Sequence, residues 1–333
     1  MNPIQYALID LSGGGYVKMC HFTWPHPTNG MEQWSRILPN LHVFKGSRIS
    51  KKVQSALIGY DALLVQVRNA NVLSTLCAMR KQFPVSKIVM VPYHSTSEYC
   101  PKLFEAISVV DGIAVTDVSE MDVWETLAPG KCFWLGFPID FEIYERNSRS
   151  VHLRDRNTVL LDDCQEILVH AKMLQNVCGP LRFLVRPQCH QPETLRTKFS
   201  LAGMTCEVVV KEPLEQCLRD SEEAIVAFSW SGTPAFQIDC AAQRIPCVGV
   251  DFGYQPILFP EMSYHVIRGH KFALEHVNRF IVSSNGPEYE NVTTRAFKYA
   301  VWMFHPTVCV VRWERFQGFL FQGEKPIRGP EWK

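Results

Sequence analysis

The sequence has no Cys-x-x-Cys pair, although it holds 12 cysteines in 333 residues. They are scattered through apolar runs at spacings that suit neither a disulfide framework nor zinc, so they read as reduced, buried thiols. No apolar run is long enough to span a bilayer, which argues against integral membrane association. The opening stretch "MNPIQYALIDLSGGG" lacks a basic n-region and reaches its glycines too early for a secretory signal. An excess of either charge is missing too: 34 Lys and Arg face 33 Asp and Glu, a formal net charge of +1. A nearly neutral chain carries no electrostatic footprint for non-specific nucleic-acid binding, although a local basic groove is still open to it. The expectation from these absences is a soluble, cytoplasmic protein.

What is present is globular. Hydrophobic residues make up 47% and charged residues 20%, and the length calls for two domains. Short apolar runs alternate with helical patterns. "IQYALIDL", "LHVFKGS", "DALLVQVRN" and "KIVMVPYHST" read as strands, with "RISKKVQSALIGY", "NVLSTLCAMRKQF" and "CPKLFEAISVV" as helices among them. Strands that are apolar throughout, separated by helices, predict parallel sheets covered on both faces. The charged stretch within Pro138–Asn157 breaks this alternation. It is expected to be a linker, 141–157, between an N-terminal domain, 1–140, and a C-terminal domain, 158–333, whose final helix packs back on the first. The fold expected is α/β, two Rossmann-like domains in tandem with an interdomain cleft.

One turn in the second half carries chemistry. The strand "EAIVAFSW" runs into Ser231, Gly232 and Thr233, and Pro234 then opens a helix. In an open parallel sheet, ligands sit at the carboxyl ends of the strands. A helix start there offers unpaired N–H groups and the positive end of its dipole. Gly232 admits a close approach, two hydroxyls add donors, and Pro234 loses nothing at the first helical position. Together they suit a phosphate, although the same residues also make an ordinary N-cap.

The run "EPLEQCLRDSEEAIVAFSWSGTPAFQIDCAAQRIPCVGVD" resembles the donor-binding segment of the GT-B glycosyltransferases. "DGIAVTDVSEMDVWETLAPGKCFWLGFPIDFEIYE" is similar to the end of their N-terminal domain and its hinge. The resemblance covers most of the chain as an ordered plan. It implies a nucleotide-sugar co-substrate, UDP-linked, no further cofactor, and transfer of a hexose to an acceptor hydroxyl. It also implies that Ser231, Gly232 and Thr233 face the diphosphate, that Asp239 reaches a ribose or sugar hydroxyl, and that Arg186 and Lys211, each ending a strand, balance the leaving group. Many retaining members carry two glutamates eight positions apart; here those positions are Ser231 and Asp239, which leaves retention or inversion open. In the N-terminal half, Gly13, Gly14 and Gly15 resemble the glycine-rich first loop, without the G-x-G-x-x-G spacing of dinucleotide binders. His94, after a strand, is the candidate base for the acceptor proton, with Asp10 as its rival.

No Asp-x-Asp triplet occurs, so a metal-independent transfer is expected, with a helix terminus and Arg186 in place of a cation. The acceptor candidates include a small molecule, a lipid-linked sugar, a protein, and a modified DNA base, since phage-type base glucosyltransferases share this fold. Two other readings compete: a nucleotide-sugar epimerase of the same architecture, and a non-enzymatic ligand binder with two Rossmann-like domains. The first would want acids crowded at the site, and few are visible.

Overall fold

The computed structural model describes residues 5–10, 34, 36–45, 51–67, 70–92, 101–116, 118–146, 154–187, 190–209, 214–229, 234–250, 265–267, 270–284 and 286–329. They form two compact units. The chain leaves the first after Ile139, builds the second from Asp140 to His305, and returns to the first at Pro306.

The first unit holds a six-stranded sheet of β1 (Tyr6–Asp10), β2 (Leu41–Lys45), β3 (Ala62–Val67), β4 (Lys87–Pro92), β5 (Gly112–Val115) and β6 (Cys132–Trp134). Every pairing is parallel, in the order β2-β1-β3-β4-β5-β6. The connections include α1 (Lys51–Leu57), α2 (Ala70–Gln82), α3 (Pro101–Val109) and α4 (Met121–Leu127). Leu63, Leu64, Val65, Ile88, Val89, Met90 and Ile113 are fully buried, as strands covered on both faces must be.

The second unit opens with α5 (Phe141–Arg146), then lays down β7 (Asp155–Asp162), α6 (Ile167–Cys178), β8 (Arg182–Arg186), α7 (Pro192–Leu201), β9 (Thr205–Val208), α8 (Leu214–Ser221), β10 (Ala224–Ser229), α9 (Pro234–Ala242), β11 (Cys247–Val250), β12 (His265–Ile267), α10 (His270–Val282) and α11 (Pro287–Phe304). Its sheet is also parallel, ordered β12-β11-β10-β7-β8-β9. Helix boundaries follow local chemistry. Pro192 and Pro287 sit in first turns, where a missing N–H is harmless. Gly179 ends α6 at φ +84°, a conformation that L side chains avoid.

The stretch expected as linker, 141–157, is thus not uniformly irregular: it contains α5 and the first residues of β7. Its charges misled because they alternate with Phe141 and Tyr144, which are buried. The last helix, α12 (Pro306–Gln317), belongs to the first unit. There Cys309, Trp313 and Phe316 join Trp34, Leu64, Val89, Ala114 and Phe133 in one apolar cluster. Trp34 and Trp313 pack at 5.2 Å between ring centroids, and the Trp34 indole donates to the Gly136 carbonyl at 3.1 Å.

Candidate functional site

Strand order locates the places where a ligand fits. In the second sheet, β7 is first in the chain; β8 and β9 follow on one side, β10 to β12 on the other. The chain reverses its direction of winding between β7 and β10, and the two connections that leave this point open a crevice at the carboxyl ends. In the first sheet the same reversal falls between β1 and β3. Asp10 ends β1 at that point, its backbone paired with Lys45 and Gln66. His94, Lys211, Ser231, Gly232, Thr233 and the glycines Gly13, Gly14 and Gly15 lie outside the described residues. The flanks of the Ser-Gly-Thr turn are inside them: β10 ends at Ser229 and α9 starts at Pro234.

The described rim of the second crevice is polar. The Ser229 hydroxyl donates to the Asp162 carboxylate at 2.9 Å, which ties the end of β10 to the end of β7. Next in sequence, the buried Asp163 accepts from the backbone N–H of His190 at 2.8 Å and faces its ring Nδ1 at 2.8 Å. Cys164 follows, near the buried His170 ring at 3.4 Å, and burial pushes its thiol up to about 12. Sequence reasoning missed Asp162, Asp163 and His190. The available signal was the Asp-Asp pair closing the first strand of the second half, with a histidine just past the next strand.

Arg186 and Asp239 require a correction. Both were expected to face the donor, yet both side chains are 0% exposed and pair with each other at 3.0 Å. The Tyr144 hydroxyl donates to the other Asp239 oxygen at 2.5 Å, so both carboxylate oxygens are occupied. The Arg186 guanidinium also lies 3.3 Å from the Ser221 hydroxyl, 3.4 Å from Gln243 Oε1 and 5.3 Å from the centre of the Phe236 ring. Burial first, and the Asp239 charge second, hold the Tyr144 phenol well above its ordinary range. The physical reason is that α9 is buried from Phe236 to Gln243. Its polar residues therefore point into protein and must find partners there. This network joins α9 to β8 and α5, and its central ion pair is fully buried.

A depression of about 500 Å³ in the first unit is lined by Arg80, Ser108, Val109, Val110, Asp111 and Lys131. It sits at the amino-terminal edge of the sheet, away from the crevice. Its cations are engaged: Lys131 donates to the Ile107 and Val110 carbonyls at 2.9 Å each, and Arg80 to Val109 and Ser86, besides pairing with Asp111. Apart from the one to Ser86, these carbonyl contacts lie at the end of α3, the ordinary service of a cation at a helix C-terminus. Among the described residues no group of three or more His, Cys, Asp or Glu is arranged to hold a metal ion, and no helix is long and apolar enough to cross a membrane.

No family model matches the chain, and no curated protein matches it in sequence. Solved structures do match it in fold. A glycosyltransferase from Rickettsia africae superimposes with TM-score 0.70 at 12% identity, over 97% of this chain and 100% of the other. An alpha-glucosyltransferase in complex with UDP and a 13-mer DNA containing an HMU base gives 0.63 at 11% identity, over 95% and 99%. The pneumococcal O-GlcNAc transferase GtfA, in complex with UDP and GlcNAc, gives 0.60 at 12% identity over 81% of this chain, which spans only 59% of that longer protein. The chain has the GT-B fold, two Rossmann-like units of parallel sheet.

Proposed function

We propose that this protein is a metal-independent glycosyltransferase that moves a sugar from a UDP-linked donor to an acceptor hydroxyl. The observation that carries the reading is the β7–β10 reversal, with β10 ending and α9 beginning on either side of Ser231, Gly232 and Thr233. A phosphate there meets the unpaired N–H groups of a helix start. As the bond from the anomeric carbon to the diphosphate oxygen breaks, negative charge grows on the leaving group, and a fixed positive dipole stabilises it. Lys211, just past β9, supplies a cation. Arg186 and Asp239 hold α9 in place. His94 takes the acceptor proton, with Asp10 as the alternative base.

The full-length fold match to an enzyme captured with UDP and DNA makes a hydroxymethylated base one acceptor to try. A base in duplex DNA would have to be flipped out first. The test is release of UDP from UDP-glucose and UDP-GlcNAc in EDTA, with and without hydroxymethyluracil DNA or small sugar acceptors. Gly232→Val should abolish donor binding and leave the melting temperature unchanged. Turnover that vanishes in EDTA and returns with manganese removes the metal-independent part. A chain whose melting temperature no nucleotide sugar shifts, and which releases no nucleotide, is not a glycosyltransferase.

A further inference from the structure

Arg186 is buried, so among the described residues it brings no cation to the β8 side of the crevice, where the proposed reaction wants one. We infer that His190, backed by the buried Asp163 carboxylate, contacts the donor diphosphate through Nε2. This rests on the glycosyltransferase reading and names a ligand for that site.

Three observations carry it. His190 lies just past the carboxyl end of β8, and β8 is two strands from β10 in the sheet, on the order of 10 Å across. It therefore lies at the same carboxyl-end crevice as the end of β10 and the start of α9, on the other side of β7. Second, the residue is held at two points, backbone and ring, by one carboxylate. Asp163, whose side chain is 0% exposed, receives both the backbone N–H and the ring Nδ1 side of His190. A carboxylate on Nδ1 fixes the ring orientation. Third, the far nitrogen is available: the side chain is 14% exposed, and Nε2 has no hydrogen-bond partner among the described residues. With a proton on each ring nitrogen, the ring donates its second N–H outward, as a charge-assisted hydrogen bond to a phosphate oxygen.

Two conservative variants separate contact from structure. In His190→Asn the new amide nitrogen stands near the former Nδ1 position and keeps the Asp163 hydrogen bond, but has nothing to offer outward. His190→Gln instead places an amide near the former Nε2 position. Affinities of the full-length variants for UDP and for uridine are measured by calorimetry. Contact predicts UDP affinity in the order wild type, Gln, Asn, with Asn weaker by roughly 10- to 100-fold, the loss of one charge-assisted hydrogen bond. Uridine, lacking phosphates, should bind all three alike. A purely structural His190 predicts the reverse ranking, Asn above Gln, with lowered melting temperature and equal losses for UDP and uridine; that result overturns the inference. Wild-type affinity for UDP in folded His190→Asn overturns it as well and leaves the glycosyltransferase reading standing. A wild-type protein that binds no nucleoside diphosphate removes both.

Discussion

The two units are built on the same plan and filled differently. Both are six-stranded parallel sheets with apolar strands. Among the described residues, the first buries one charged side chain, Arg312. The second buries Arg154, Asp162, Asp163, Arg186 and Asp239, with Thr158, His170, Ser221, Ser229, Gln237 and Gln243 around them. The single buried cation of the first unit lies 3.9 Å over the Trp134 ring and donates to the Leu135 carbonyl at 3.1 Å. In the second unit, charges answer charges. The lesson is that one sheet plan tolerates a buried charge in two ways, against a ring or against an opposite charge, and that the two fail differently when a partner is removed.

The largest expected effect is on the ion pair. Asp239→Ala leaves the Arg186 guanidinium buried without its carboxylate, which should destabilise the second unit by ~3–5 kcal/mol. A protein of two units need not unfold in one step, so hydrogen exchange resolved by segment is the measurement: protection should fall in α9 and β8 and persist in β3 and β4. Arg186→Met combined with Asp239→Leu removes both charges and should recover most of the loss, since apolar replacements of buried pairs are often neutral or better. If the double variant is no better than the single, charge compensation is not what the pair provides.

Tyr144→Phe should cost less, about 1.5–3 kcal/mol, one hydrogen bond to a charged group. Exchange protection of α9 is again the readout, and an effect confined to α5 would mean that Tyr144 anchors only its own helix. In the first unit, Arg312→Leu should cost about 1–2 kcal/mol, from the loss of the ring contact and one carbonyl bond. Urea unfolding followed by tryptophan fluorescence checks it, and a loss as large as that of Asp239→Ala would erase the contrast between the units. The smallest effect belongs to the amino-terminal depression. Arg80→Ala removes a pair with Asp111 whose side chains are about a quarter exposed and should cost under ~1 kcal/mol. It should leave UDP affinity unchanged; a weakened UDP complex would make that depression a ligand site after all.

The alternation of apolar runs and helical patterns was enough to read two parallel α/β halves. Periodicity is local and survives without knowledge of what each element meets. The Ser-Gly-Thr turn could be placed between strand and helix for the same reason. What a side chain faces is another matter. Arg186 at a strand end and Asp239 on a helix each have an inward and an outward option, and position along the chain does not choose between them. The choice falls to packing: the chain is buried from Phe236 to Gln243, so Asp239 must turn to Arg186, 53 positions away, and Tyr144, 95 away. Asp163 and His190, 27 apart, meet because β7 and β8 are neighbours in register and end together. The sequence alone determined the element types and their order, because hydrogen bonding and apolar spacing within an element are set by near neighbours in the chain. The tertiary structure alone decided which charges are buried against each other and which polar group is turned outward, because those pairings need the sheet order and helix packing that bring distant residues within reach.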